Sequence, residues 1–100
     1  MNTYTNEEEK RRFFRMIIDV EMNCRTRGSD HTFTARCKNM SHIGIQIETD
    51  EALSEGTVID MNIDTKNPKF APMSATLTVL RVEASSDSKF LVACKMDDIS

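Results

Sequence analysis

Across most of this chain, apolar side chains recur at every second position. That period builds pleated strands with one buried face and leaves no helical stripe. In "MIIDVEMNCR", Ile18, Val20, Met22 and Cys24 share one face, while Asp19, Glu21, Asn23 and Arg25 share the other. Phe33, Ala35 and Cys37 repeat the pattern, as do Ile43, Ile45 and Ile47, then Ile59, Met61 and Ile63, and finally Phe90, Val92, Cys94 and Met96. One segment breaks phase: in "SATLTVLRVEA", Ala75, Leu77 and Val79 fall on one face and Leu80 and Val82 on the other. A bulge near Val79 reconciles them, because one extra residue flips the alternation. "TRGSDH" and "SSDS" are turns by composition, "NMSHIG" interrupts two strands, and "DTKNPKFAP" is a longer loop. "DEALSEG" is a connection with Leu53 tucked inward. Six short strands joined by turns predict an antiparallel all-β fold, and closure into a barrel removes the exposed edges.

With 100 residues, there is room for one core. Residues 1–9 carry no periodicity and are expected to be a flexible lead-in to a single domain over 10–100. Thirteen Lys and Arg against 16 Asp and Glu leave a formal charge of −3. That balance argues against binding long nucleic acid, which requires net positive charge. No apolar run approaches the roughly 20 residues of a membrane helix, and the polar N-terminus is no secretory signal, so the chain reads as cytoplasmic with no membrane insertion. The three cysteines include no C-x-x-C pair. A zinc site from Cys24, His31, Cys37 and His42 matches no common spacing. Cys24, Cys37 and Cys94 instead sit in the inward phase of strands, as small hydrophobes. The seven methionines read as filler for an irregular core. No catalytic constellation and no metal cluster is recognisable, so an enzyme is not expected.

Against this acidic background, "KRRFFR" at residues 10–15 concentrates four cations. Arg11 and Arg15 are four apart, which places them on one face of a strand or of a helix alike. Their planar guanidinium forks suit phosphate oxygens, the guanine edge and flat rings. Arg12 falls off that face, and Phe13 and Phe14 could anchor the segment or stack on a base. Alone, such a run is more often a solvated face, here balanced by Glu7, Glu8 and Glu9. "NMSHIG" at 39–44 is the second feature. Asn39 and Ser41 can share a face and bond backbone or ligand, and Gly44 permits positive φ or close backbone approach. Alone, it reads as an Asx-type turn.

In this order, R-x-x-x-R followed by N-x-S-x-x-G resembles the signature of the PilZ family, bacterial receptors for cyclic di-GMP. "SEGTVIDMNI", "ATLTVLRVE" and "FLVACKM" are similar to that family's later strands, extending the resemblance from about residue 8 to 97. It implies a six-stranded antiparallel Greek-key barrel with an N-terminal arm, expected here to be flexible; members often add a C-terminal helix, for which "DDIS" leaves almost no residues, so little or no C-terminal helix is expected. It also implies a ligand, cyclic di-GMP, held between the arm and the outer face of the second and third strands. Arg11 and Arg15 would hold guanine and phosphate, Asn39 and Ser41 would meet the guanine edge and a phosphate oxygen, and Gly44 would leave room. Lys10 and Arg12 would be secondary contacts. Many members carry Asp where this chain has Asn39. Two carboxylate oxygens accept from guanine N1–H and N2–H₂ together, whereas Asn offers one, which lowers the expected affinity. A cation just before the first motif arginine, here Lys10, is associated in the family with two stacked nucleotides per chain rather than one.

The function this implies is a cyclic di-GMP receptor whose ligand changes the surface shown to an unknown protein effector. The alternative is a ligand-independent PilZ-like adaptor, against which the intact Arg11 and Arg15 argue. A small single-strand nucleic-acid binder would need a basic groove and exposed aromatics, which a charge of −3 and six mostly inward-phased aromatics disfavour.

Overall fold

The computed structural model describes residues 19–41, 43–64, 66, 68, 72–86 and 88–100. Six antiparallel strands form a closed barrel: β1 (Glu21–Thr26), β2 (Thr32–Met40), β3 (Gly44–Thr49), β4 (Val58–Ile63), β5 (Met73–Ser86) and β6 (Lys89–Asp97). Around the wall the order is β1-β2-β3-β6-β5-β4, with β4 closing on β1. The fourth strand thus returns beside the first, giving the order 4-1-2-3 of a Greek key. No helix occurs among the described residues.

The alternating residues are those that fill the barrel. Met22, Cys24, Cys37, Ile47, Ile59, Met61, Ile63, Leu77, Val79, Val92 and Met96 are all buried in one cluster. Val20, Phe33, Leu53, Val82 and Phe90 are partly buried against it. Met22, Met40, Met61, Met73 and Met96 are all core, as expected for unbranched side chains filling uneven gaps. The two buried polar residues among those described, Thr49 and Thr76, are satisfied. Thr49 donates to the Thr34 carbonyl at 2.9 Å, and Thr76 accepts from Arg27 Nη2 at 3.0 Å.

The phase break in β5 is a bulge. Val79 pairs with Cys94 and Arg81 with Ala93, so Leu80 is the extra residue. Leu80 therefore points outward and is 57% exposed, while Val82 returns to the core side. A second bulge, at Lys38 between Cys37 and Asn39 on β2, has no counterpart in the sequence reading. It turns Cys37 and Met40 both inward, although they are three apart.

Three local expectations need correction. "NMSHIG" does not interrupt at Asn39, because β2 continues to Met40. "SSDS" is not all turn, because β5 runs to Ser86. Ile43 is not in the core with Ile45 and Ile47. It precedes β3, where the pleat has not begun, and is 70% exposed. Its carbonyl accepts from Met96 N–H at 3.1 Å instead.

Candidate functional site

The hairpin joining β2 to β3 is closed by Ser41, whose backbone N–H donates to the Gly44 carbonyl at 2.9 Å. Ser41 Oγ lies 3.5 Å from both that carbonyl and Ile43 N. The bulge at Lys38 puts Asn39 on the outer face, directly opposite Gln46. Asn39, Ser41, Gly44 and Gln46 line a shallow depression of about 280 Å³, floored by Ala93 and Cys94 of β6. The N-x-S-x-x-G residues are thus brought together. Gln46 and Ala93 join them through pairings that the sequence reading did not contain. Gln46 carried one usable signal, its outward phase two residues after Gly44.

Gly44 is half-buried and has no positive φ. Of the two reasons for glycine here, close backbone approach is the one realised. A Cβ at this position would lie 3.3 Å from the Cys94 carbonyl oxygen. Gly28, in the β1–β2 turn, and Gly56, ahead of β4, are the left-handed cases, with φ of 84° and 88°.

The lining of this depression bears no formal charge. Lys95 pairs across from Gly44 and Arg81 across from Ala93, both exposed. A larger depression of about 740 Å³ lies on β1, β2 and β4. There Asp50 and Asp60 join the lining, and Asp60 is bridged by Arg25 at 3.6 Å and by Arg27 at 2.7 Å. The lining of that depression thus carries Asp50, Asp60 and Arg25, whereas that of the smaller one carries no charge.

Asp19, just ahead of β1, is tied to β2. Its φ of 66° is left-handed, a conformation in which Asp is enriched. Its N–H donates to the Cys37 carbonyl at 2.6 Å, and Cys37 N–H donates to the Val20 carbonyl at 3.1 Å. The Arg36 guanidinium donates to the Asp19 carbonyl, and Lys38 Nζ donates to the Asp19 carboxylate. Hydrogen bonding and charge from Lys38 hold the Asp19 carboxyl below the usual carboxylate value, and Asp19 in turn raises Lys38. Lys10, Arg11, Arg12 and Arg15 lie outside the described residues, as does His42.

Of the zinc candidates, Cys24 and Cys37 are buried inside the barrel, whereas His31 Nε2 is 2.7 Å from the Glu51 carboxylate on the exposed side. Burial pushes the Cys24 and Cys94 thiols up to about 12 and Cys37 to about 11. Among the described residues, no group of three or more His, Cys, Asp and Glu could hold a metal ion, and no helix is long and apolar enough to cross a membrane.

The chain is thus a small closed Greek-key barrel with an uncharged depression, lined by polar and apolar residues alike, on the outer face of β2, β3 and β6. The model of the PilZ domain family matches residues 9–100, and the chain belongs to that family. PilZ domains are, as a family, cyclic di-GMP-binding and adaptor domains that act on effector partners rather than enzymes. No curated protein and no solved structure matches the chain.

Proposed function

We propose that this protein is a cyclic di-GMP receptor. Asn39, Ser41 and Gly44 meet the nucleotide on the outer face of β2 and β3. Arg11 and Arg15 hold it from the other side, with Lys10 and Arg12 as secondary contacts. The observation that carries this reading is the convergence of Asn39, Ser41 and Gly44 on one uncharged depression. Asp19 is bonded to Cys37, two residues before Asn39 along β2. Arg15 is four residues from Asp19, a span of at most about 14 Å. In this proposal, that short tether lets the Arg15 side chain come to the nucleotide from the N-terminal side. A few local cations suffice for a compact ligand with two phosphates, and the acidic remainder of the surface repels longer nucleic acids.

The output is a changed surface. With the nucleotide bridging the segment 10–15 to the β2–β3 face, a protein effector meets a composite of both. Amide exchange over residues 1–18, with and without cyclic di-GMP, tests this. Equal protection in both states would remove the switching part of the proposal. Calorimetric titration with cyclic di-GMP, GTP and an oligonucleotide tests the receptor itself. Binding of cyclic di-GMP alone is expected, and no heat with any of the three would turn the reading to a ligand-independent adaptor.

A further inference from the structure

We infer that Gln46 supplies the second guanine acceptor that Asn39 lacks, so that the two amides, one from each strand, together read the guanine Watson–Crick edge. The inference rests on the cyclic di-GMP reading above and goes beyond it by assigning a specificity residue.

Guanine presents two adjacent donors on that edge, N1–H and N2–H₂. One carboxylate accepts both, but a single amide has one acceptor oxygen and two donor hydrogens. With Asn39 alone, one of the two guanine donors would lose its water without gaining a partner. Such an unpaired group costs more than a formed hydrogen bond returns. The fold places a second amide where it is needed. The bulge at Lys38 sets Asn39 opposite Gln46 on the outward face, and both line the same depression. Directly opposed residues have Cβ atoms about 4.5–5.5 Å apart, within reach of one base edge. Gln46 has one more methylene than Asn39, so its Oε1 reaches further over the depression, toward the exocyclic N2, while Asn39 Oδ1 takes N1–H. Glu48, the nearest carboxylate on the same face of β3, pairs across from Arg36 one step further along the hairpin and is hydrogen-bonded by Ser85 at 2.9 Å. It is therefore not the second acceptor.

The test is the affinity of the full chain for cyclic di-GMP and for cyclic di-IMP, whose base lacks the N2 amino group. The parent is expected to favour cyclic di-GMP. Gln46→Ala is expected to weaken cyclic di-GMP about three- to tenfold, as for one hydrogen bond, and to leave cyclic di-IMP unchanged. Gln46→Glu, which keeps the acceptor, is expected to retain the preference for guanine. Asn39→Asp is expected to make Gln46→Ala nearly neutral, because the carboxylate then accepts both donors. If the parent binds cyclic di-GMP but Gln46→Ala weakens both ligands equally, the assignment of Gln46 to N2 is overturned while the receptor reading stands. If the parent binds neither ligand, the receptor reading falls and this inference with it.

Discussion

Gly44 brings the start of β3 so close to β6 that a Cβ at position 44 would stand 3.3 Å from the Cys94 carbonyl oxygen. The neighbour is backbone in mid-strand, paired at Val79 and Ile45, so it yields little. Removing glycine from a strand gains about 0.5–1 kcal/mol, which offsets most of that contact for Gly44→Ala. Gly44→Val adds branches over the depression itself and should cost about 1–3 kcal/mol of stability by overpacking. Ligand affinity should fall further in the Val variant than in Ala. Parent-like affinity in Val, measured by calorimetry, would remove the close-approach role.

Arg15→Ala should cost at least ~2 kcal/mol of cyclic di-GMP binding through loss of a charge-assisted contact. The thermal midpoint should barely move, because the described core is built from Met22 to Met96. A fall of many degrees with affinity intact would make Arg15 a structural ion-pair partner instead.

The stoichiometry should be two nucleotides per chain. A stacked pair brings four phosphate charges together, which Lys10, Arg11, Arg12 and Arg15 match in number. At ~4 Å and an effective dielectric of about 20, each cation offsets on the order of 4 kcal/mol of repulsion before desolvation. Lys10→Leu should shift the calorimetric stoichiometry toward one and flatten its salt dependence. A parent value near one, with the active fraction checked independently, would rule out the pair.

Asp60 ties β4 to the end of β1 through Arg27 and Arg25, and the Arg27 hydrogen bond holds its carboxyl below the ordinary value of 3.8. A carboxyl with a lowered folded-state pKa stabilises the fold fully above its unfolded value and loses that contribution as pH falls through the lowered one. Asp60→Asn should therefore unfold at a lower temperature than the parent at pH 6, and the gap should close below pH 3.8. Because the pair is largely solvated, the gap should be a few degrees at most. A gap that persisted unchanged in acid would assign the loss to packing rather than charge.

All three thiols are buried and held far above neutrality, at about 12 for Cys24 and Cys94 and about 11 for Cys37. Since the thiolate is the reactive form, the native chain at pH 8 should react negligibly with a thiol reagent and release three equivalents on unfolding. Rapid labelling of one thiol in the native state would show that its strand opens locally.

The barrel was legible because burial and strand geometry share a period of two. Met22 with Cys24, Ile59 with Met61 and Ile63, and Val92 with Cys94 and Met96 each report one buried face without reference to the rest of the chain. Even the bulge at Leu80 left a trace, because the apolar phase changes sides there. The bulge at Lys38 left none, since Cys37 and Met40 straddle a polar pair that reads as the start of a turn. Ile43 misled for a related reason: an apolar residue in register with a strand stays outside when the pleat begins one residue later.

For the site, the spacing of Asn39 and Ser41 determined that these two could share a surface, because a two-residue step along a strand returns to one face; Gly44, three residues further on, came to the same surface only through the hairpin. What covers and floors that surface was decided by the tertiary fold. Gln46 came opposite Asn39 only through the bulge, and Cys94 came beneath Gly44 only through the pairing of β3 with β6, about fifty residues apart in the chain. Local spacing carries information about one strand at a time. Register between strands is set by which faces the closed barrel must bury, and that constraint belongs to all six strands together.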